Sequence, residues 1–459
     1  MVTESKVQQT ATEQLAKWIE EFDYDRLPKP VIERTKQVLY DGIGCAIAAT
    51  SSRYDIGGVL ADFVKRMDAG PKSQIFGMPL RTNTVTAALV NGTLSYYIDN
   101  ESHHSGAIMH AIAVVGPAAL AVGEEMKATG KQVLTALVLG IDVACRMSYA
   151  LDGTVLYARG FHPTCVAGAF GAMAATAKLM NLQGERLLSA MGLCGTQASG
   201  LLAWVDDRHE HARPFNMGLA ARNGTYASEL ARSGLYGAPA ILDSKYPLGA
   251  AFTGAWNSDV LLADLNERFY VMELVFKLYA CCAFIHPGLD ALLDLQAANK
   301  LKASDIESMT LHFPKSGYKV IDGNPLLSHS AQYVLALAAS RGAVEFDDIL
   351  NDRRSDPEIK RLEKSVTVVG DSDLDREYPD LYHSILKVET VDHRHYQGDV
   401  VHPKGSPENP VSDKELRDKF SRLTTGLLPV SRLRDISDRI YGLELVKDVG
   451  ELSQLLRGN

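Results

Sequence analysis

The densest group of titratable side chains in the sequence lies in residues 99–110. Two carboxylates and three imidazoles occur there, those of Asp99, Glu101, His103, His104 and His110. An imidazole titrates near neutral pH, and a carboxylate can orient it or act as a base itself. The segment is typical of a proton-transfer site, with a solvated polar loop and a metal site as alternatives. The adjacency of His103 and His104 argues against a metal site, because the side chains of neighbouring residues diverge in most backbone conformations.

A second candidate is His162, which precedes Pro163 and a run of small residues at 167–177. The run has no polar face, so it predicts a helix that is buried on both sides. His162 would lie at the start of this helix, where free N–H groups and the helix dipole favour a bound anion. A purely structural histidine is the alternative.

Two cations are placed where they could hold a carboxylate. Arg213 directly precedes Pro214, a residue common at the first position of a helix, and an arginine there can grip a carboxylate in a bidentate fork. Lys277 lies among apolar residues, so if it is buried it needs a partner or a function. A surface lysine whose stem packs on its apolar neighbours is the alternative.

The elements that must position these residues follow from the hydrophobic periodicity. Helical spacing dominates the first half of the chain, at 31–49, 84–98, 111–127 and 131–151. After residue 265, alternation of apolar and polar residues predicts strands at 306–313, 365–369, 384–391 and 393–401. Helices are expected among these strands at 329–339 and 356–363.

The change in pattern predicts a mainly helical protein with a smaller α+β part. A turn-rich stretch at 403–410 ends the α+β segment, and Ser412 and Glu415 then form a capping box for further helices. We expect a helical domain built from residues 1–265 and 404–459, with an α+β domain of residues 266–403 inserted into it.

Composition restricts the function class. The chain has 459 residues, 46% hydrophobic and 22% charged, and a formal net charge of −9, which argues against a nucleic-acid or anionic-membrane partner.

Residues 1–14 lack the pattern of a signal peptide, and the apolar stretch 111–123 is shorter than the about 20 residues that span a bilayer. No CxxC pair occurs among the six cysteines, so we expect a reducing, cytoplasmic setting. Phosphate-loop, dinucleotide, nucleophile-elbow and zinc-protease motifs are missing from the sequence.

Four segments, in order along nearly the whole chain, resemble one family, the methylcitrate dehydratases and cis-aconitate decarboxylases (MmgE/PrpD). Residues 91–99 are similar to its NGxLxHxxDFDDTH segment, and 160–171 to GxHPTxxxGxFGAAxAAA. Residues 213–221 resemble KPxHxGxAA, and 277–290 resemble KPYPxCxxxHPxxDA. The resemblance implies a helical domain with an α+β lid, a homodimer, no metal or other cofactor, and a cleft for small di- or tricarboxylates.

The resemblance also implies site residues. By position in these motifs, the catalytic residues are expected to be Asp99, His110, His162 and Lys277. Substrate-binding residues are expected to be His103, His104, Arg213 and, on the lid, Tyr318.

The chain departs from the family pattern at two important places. DFDDT reads Asp99–Asn100–Glu101–Ser102–His103 here, so an imidazole replaces a threonine hydroxyl. The lysine of KPxH is Arg213, which keeps the positive charge but cannot give up a proton at neutral pH.

The family's reactions develop negative charge next to a carboxylate, which nearby cations stabilise. The principal hypothesis is a lyase that dehydrates a 2-methylcitrate-like acid or decarboxylates a cis-aconitate-like acid. Asp99 with His110 or His162 would supply the base and the acid. The alternative is an epimerase of an imino- or amino-dicarboxylate such as iminodisuccinate. A ligand-binding relative without activity is the third possibility.

Overall fold

The computed structural model describes residues 9–67, 70–254 and 256–458. Most of the N-terminal segment in which we predict no signal peptide lies outside these ranges. The protein is mainly helical with one small mixed sheet, so the expected fold class is confirmed.

The helices before the sheet form most of the molecule. They are α1 (Ala11–Glu21), α2 (Lys29–Ala48), α3 (Ile56–Met67), α4 (Thr84–Tyr97), α5 (Ala111–Met126), α6 (Gly130–Leu151), α7 (Gly153–Ala158), α8 (Pro163–Leu179), α9 (Gly184–Gln197), α10 (Ala212–Arg232), α11 (Leu248–Phe252), α12 (Ser258–Leu262) and α13 (His286–Asn299). A two-stranded ribbon, β1 (Ser73–Gln74) with β2 (Arg81–Thr82), precedes α4 and was not predicted.

The centre of the helical part is α8, which packs against α5, α6 and α10. Its residues from Pro163 to Ala177 are all buried, as the run of small residues predicts. Glycine permits the close approach: a Cβ on Gly171 would lie 2.5 Å from the carbonyl oxygen of Gly140 on α6. The helix α6 is long and apolar enough to cross a membrane, but 94% of its most apolar window is buried inside the protein, as in a core helix.

The second part of the chain contains a four-stranded sheet. Its elements are β3 (Ile306–Pro314), α14 (Ala331–Arg341), α15 (Phe346–Leu350), α16 (Pro357–Ser365), β4 (Val366–Asp371), β5 (Ser384–Thr390) and β6 (His395–Val400). The strand order is β4-β3-β5-β6, with β3 and β4 parallel and the other pairs antiparallel. The helices α13, α14 and α16 contact the sheet. All four predicted strands and both predicted helices are confirmed, with ends that shift by a few residues.

The last helices return to the first part of the chain. They are α17 (Asp413–Thr424), α18 (Val430–Tyr441) and α19 (Gly450–Leu455). The capping box predicted at Ser412 and Glu415 starts α17. Both α17 and α18 pack on α2, where the ring of Phe420 stacks on that of Tyr40 at a centroid distance of 4.1 Å.

Candidate active site

A cavity of about 550 Å³ lies where the loop after α4, the start of α8 and the α+β part meet. Six of the eight predicted site residues line it, namely Asp99, His103, His104, His110, His162 and Lys277. Residues more than 170 positions apart in the sequence thus form one wall. The two others, Arg213 and Tyr318, are not among its described lining residues.

Asp99 and Lys277 form a buried ion pair at the cavity wall. Asp99 follows the end of α4 with a φ of 50°, and its side chain is 1% exposed. Lys277 Nζ donates to Oδ1 of Asp99 and, at 3.2 Å, to the Asp99 carbonyl oxygen. Burial alone would raise the pKa of Asp99, but Lys277 and then Arg213 outweigh it and hold the pKa below its usual range. Asp99 is therefore ionised and a weak base, which favours an electrostatic role over proton abstraction.

The ammonium of Lys277 also stays charged. Burial opposes the charge, yet Asp99 and Glu101 raise the pKa of Lys277 above its ordinary value. An ammonium has three N–H donors, and two of them are used by Asp99. The third can bind an oxygen of a ligand in the cavity.

Arg213 is not among the described residues that line the cavity, and its expected contact with substrate stays a prediction. Its Nε donates to Glu210 Oε2 at 3.0 Å, Nη1 is 3.4 Å from Oδ2 of Asp99, and its guanidinium covers the ring of Tyr96 at 4.8 Å. The helix α10 begins at Ala212, one residue before Arg213 rather than after it. Held between two carboxylates, Arg213 acts on the cavity through Asp99 and Tyr96.

Glu101 and His110 form a buried pair that the motif comparison did not single out. Glu101 Oε1 lies 2.7 Å from His110 Nδ1, and Glu101 is 0% exposed. The Nε2 atom of His110 is 3.4 Å from the hydroxyl of Tyr96. Burial raises the pKa of Glu101 to about 8, whereas burial and the Lys277 charge hold the pKa of His110 well below its usual value. The only signal in the sequence was a second acidic residue next to Asp99.

His103 and His104 diverge, as their adjacency predicts. The ring of His103 stacks on Tyr382 with a centroid distance of 6.1 Å. His104 Nδ1 accepts from the Ala107 N–H at 3.2 Å, so the neutral ring carries its proton on Nε2, which lies 3.2 Å from Glu273 Oε2. His104 is thus anchored, while His103 Nδ1 has no hydrogen-bond partner in the described part of the chain.

Two further histidines face each other across the indole of Trp204. His162 precedes α8 as its N-cap residue, as predicted, and its ring is 6.0 Å from Trp204. His329, which the sequence analysis placed at the start of a helix and not in the site, is 5.7 Å from Trp204 on the α+β side. Burial lowers the pKa of both imidazoles to about 3. Both rings are neutral at physiological pH.

Aromatic side chains close the cavity on the α+β side. Phe284, Tyr378 and Tyr382 line it, and the Tyr382 hydroxyl donates to the carbonyl oxygen of Ser105 at 3.1 Å. Tyr318, the predicted lid tyrosine, is not on the wall; its ring packs against Gly370 of β4. Tyr318 starts a 3₁₀ turn in which successive side chains point about 120° apart, so Val320 faces the cavity instead.

Two family models together match most of the chain. The family model described as the MmgE/PrpD N-terminal domain matches residues 13–260, and that of the MmgE/PrpD C-terminal domain matches residues 279–441. The chain belongs to the MmgE/PrpD family.

Several relatives within the MmgE/PrpD family span almost the whole chain. The cis-aconitate decarboxylase-like protein oryM of Aspergillus oryzae is 27% identical, over 100% of this chain and 99% of its own length. The cis-aconitate decarboxylase of Aspergillus terreus is 24% identical, over 99% of this chain and 97% of its own. The cis-aconitate decarboxylase of Mus musculus is 24% identical, over 98% of this chain and 94% of its own length.

The two departures from the MmgE/PrpD pattern fall at different depths. His103, which stands where the family motif has threonine, lines the cavity and changes the groups that meet a ligand. Arg213, which stands where the motif has lysine, is buried, pairs with Asp99 and is not among the described residues that line the cavity. The first substitution therefore bears on substrate choice, and the second on the charge held beneath Asp99.

Proposed function

We propose that this protein is a lyase that removes carbon dioxide from a small unsaturated tricarboxylate of the cis-aconitate type. The observation that carries the proposal is a charged Lys277 whose third N–H donor has no partner among the described residues, at the wall of a cavity that imidazoles and aromatic rings also line. Relatives of nearly the same length are named as cis-aconitate decarboxylases, which supports this reaction over others.

The reaction needs a group that stabilises a carbanion. When the C–CO₂ bond of the CH₂–COO⁻ arm breaks, its electron pair spreads over the neighbouring double bond toward another carboxylate. A cation at that carboxylate stabilises the charge, and exclusion of water strengthens the effect. Lys277 is the ammonium at the wall, and Asp99, which also lines the cavity, fixes its position.

The carbanion then takes up one proton on carbon. The product is a dicarboxylate with a terminal methylidene group, and each turnover consumes one proton. His110 is the best placed donor, because it lines the cavity and its Nδ1 is held by Glu101. His162 is the alternative, with a ring 6.3 Å from that of His110 and no hydrogen-bond partner on Nδ1 among the described residues.

The two cations that hold Asp99 favour decarboxylation over a dehydration or epimerisation in which Asp99 is the base. Dehydration requires an acid for the leaving hydroxyl together with a base at carbon, and epimerisation requires an acid and a base on opposite faces of one carbon. Asp99 is tied to two cations and is a weak base. Loss of carbon dioxide requires no base at all. The homodimer, the cytoplasmic location and the absence of a metal stay predictions of the sequence analysis.

The test is proton NMR in D₂O of the purified protein with cis-aconitate, 2-methylcitrate, citrate and iminodisuccinate, each offered separately. We expect two methylidene proton signals and release of carbon dioxide from cis-aconitate alone. Vinyl signals from 2-methylcitrate without carbon dioxide would replace the proposal with a dehydratase. Deuterium at an α-carbon of an unchanged dicarboxylate would replace it with an epimerase.

A further inference from the structure

We propose that Glu101 stores the proton that His110 delivers to the substrate carbon, so that the two residues act as one neutral proton relay. This inference rests on the proposed lyase function, since it explains where the proton of each turnover comes from. It assigns a role to a buried carboxyl group that the electrostatic site around Asp99 does not use.

Among the described residues, the Glu101 carboxyl group has one side-chain hydrogen-bond partner. Glu101 Oε1 contacts His110 Nδ1 at 2.7 Å, a distance typical of a strong hydrogen bond. The other oxygen, Oε2, is buried and has no hydrogen-bond partner among the described residues. If Glu101 were ionised, its buried Oε2 would carry negative charge without a hydrogen bond, which costs free energy. If Glu101 is protonated, its O–H donates to His110 Nδ1, and the other oxygen is a neutral carbonyl that is less costly to bury.

The surrounding charges are already committed elsewhere. Lys277 and Arg213 both bind Asp99, and Lys419 on α17 donates to Asp41 and to the Asn100 carbonyl oxygen. The titratable groups that influence or face Glu101 come from six parts of the chain and are Asp41 and Cys45 on α2, Tyr96 on α4, Asp99 and His110 on the loop after it, Arg213 on α10, Lys277, and Lys419 on α17. None of the three cations lies in salt-bridge contact with Glu101 in the described part of the chain. Burial therefore dominates, and the pKa of Glu101 rises to about 8.

The relay solves a difficulty in the mechanism. A neutral imidazole is by itself a poor acid, and His110 is neutral at physiological pH because its pKa is lowered. If the Glu101 O–H donates to Nδ1, the ring carries its own proton on Nε2, the atom nearer Tyr96. The Nε2 proton can then pass to the carbanion while the Glu101 proton moves to Nδ1.

The step balances in atoms and charge. The carbanion gains the Nε2 proton and forms a C–H bond, Nδ1 gains the Glu101 proton, and Glu101 becomes a carboxylate. His110 is neutral before and after, with its proton on the other nitrogen. One proton from solvent restores Glu101 before the next turnover, which matches the one proton that decarboxylation consumes.

The test is the pH dependence of kcat/KM for carbon dioxide release, which reports the ionisation of the free enzyme. In the unaltered protein we expect activity to fall above about pH 8, where Glu101 loses its proton. Glu101→Gln keeps the shape and can donate an N–H to Nδ1, but it cannot transfer a proton. We expect kcat to fall by about 100-fold and the alkaline limb to disappear. Glu101→Asp keeps an acid and should keep that limb, at reduced kcat.

The matched control is Asp371→Asn, which changes another histidine–carboxylate pair. Asp371 Oδ2 lies 3.1 Å from His312 Nδ1 on the sheet, and neither residue lines the cavity. The pH profile of kcat/KM for Asp371→Asn should equal that of the unaltered protein. A Glu101→Gln protein with an unchanged alkaline limb would overturn the relay.

A second measurement needs no turnover and separates the relay from the lyase function. Infrared difference spectra between pH 7 and an alkaline pH should show loss of a protonated-carboxyl C=O band, and Glu101→Gln should remove part of that band. If the unaltered protein releases no carbon dioxide, the lyase proposal fails while this band still reports the stored proton. If the band is the same in Glu101→Gln, the stored proton is disproved whether or not the protein is a lyase.

Discussion

Asp99 and Glu101 are two positions apart, both are fully buried, and their pKa values move in opposite directions. Burial raises the pKa of each, but Lys277 and Arg213 contact Asp99 directly and outweigh its burial, while the one side-chain partner of Glu101 among the described residues is the imidazole of His110. The same side-chain chemistry thus gives an anchored anion at one position and a proton store at the other.

The charge on Lys277 should be essential to activity and also important for stability. Lys277→Met fills the space but leaves Asp99 with Arg213 alone, so we expect a loss of about 3 kcal/mol in the free energy of unfolding. Turnover should fall at least about 100-fold, because the carbanion loses its cation. Urea unfolding and carbon dioxide release measure the two effects.

A matched control is available in the buried Lys36, which pairs with Glu33 and Glu444 on the far side of α2. Lys36→Met should lower the stability and leave the turnover of the folded protein unchanged. In the double variant Asp99→Asn/Lys277→Met, part of the stability should return while the activity stays lost. Activity of Lys277→Met within about 10-fold of the unaltered protein would contradict the assigned role.

At this scale the sequence predicted the positions better than the roles. The motifs pointed to six residues of the cavity wall, because chemistry-bearing types cluster in short segments. They missed His329 and Trp204, whose contribution depends on which distant loops meet. They also gave no sign that Arg213 pairs with Glu210, three residues earlier, in the interior.

Helices carry the site because glycine lets them approach closely. A Cβ on Gly218 of α10 would lie 2.2 Å from both the Leu89 carbonyl oxygen and Thr93 Oγ1 on α4. The same two helices present Arg213 at the start of α10 and Asp99 just after the end of α4. Their spacing therefore sets the distance between these two charges.

Gly218→Ala should push the two helices apart. We expect a loss of about 1 to 3 kcal/mol in the free energy of unfolding, since backbone atoms must shift to admit the methyl group. Gly168→Ala on α8 is the control, because its Cβ would meet nothing nearer than 3.5 Å. That change should be neutral or stabilise by up to about 1 kcal/mol through helix propensity. Equal thermal melting temperatures for the two variants would contradict the packing argument.

Periodicity predicted the regular elements well and the irregular ones poorly. Residues 167–177 read as a buried helix because small residues on every face exclude a solvent-exposed surface, and α8 is buried throughout. The ribbon of β1 and β2 has only two residues in each strand, too few for any alternation to show. The 3₁₀ turns that carry His329 and Val320 are equally short.

On the scale of the whole molecule, the end of the chain supports the site. Lys419 of α17 donates to Asp41 Oδ1 at 2.6 Å and to the Asn100 carbonyl oxygen, next to Asp99. Asp41 in turn accepts from the Ser102 N–H at 2.9 Å. Asp41, near the start of the sequence, and Lys419, near its end, thus hold the loop that contains Asn100 and Ser102. No local pattern predicts such a contact, which is why the loop conformation could not be derived from the sequence.

Buried titratable groups should give the protein a stability maximum near pH 6.5. Burial lowers the pKa of five imidazoles, those of His103, His110, His162, His286 and His329. These imidazoles take up protons below about pH 6.5 in the unfolded chain but stay neutral in the folded protein. Their contribution to the free energy of unfolding is therefore complete above pH 6.5 and decreases as the pH falls below it. Each imidazole that is protonated only in the unfolded chain contributes up to about 1.4 kcal/mol per pH unit, so we expect a loss of several kcal/mol between pH 6.5 and pH 5, partly offset by the buried carboxyl groups.

Buried carboxyl groups act with the opposite sign above the maximum. Burial raises the pKa of Glu101 to about 8 and that of Asp142 to about 7, so the folded protein keeps protons that the unfolded chain has released. Stability therefore falls as the pH rises from 6.5 to 8, and each such proton contributes about 1.4 kcal/mol per pH unit. Urea unfolding at pH 5, 6.5 and 8 measures both slopes. Glu101→Gln should make the alkaline slope shallower, with Asp142 still contributing, and should make the loss below pH 6.5 steeper, because the extra proton on folded Glu101 offsets the imidazoles there. Equal stability at all three pH values would mean that these groups are hydrated rather than buried, and the relay of Glu101 and His110 would lose its basis with them.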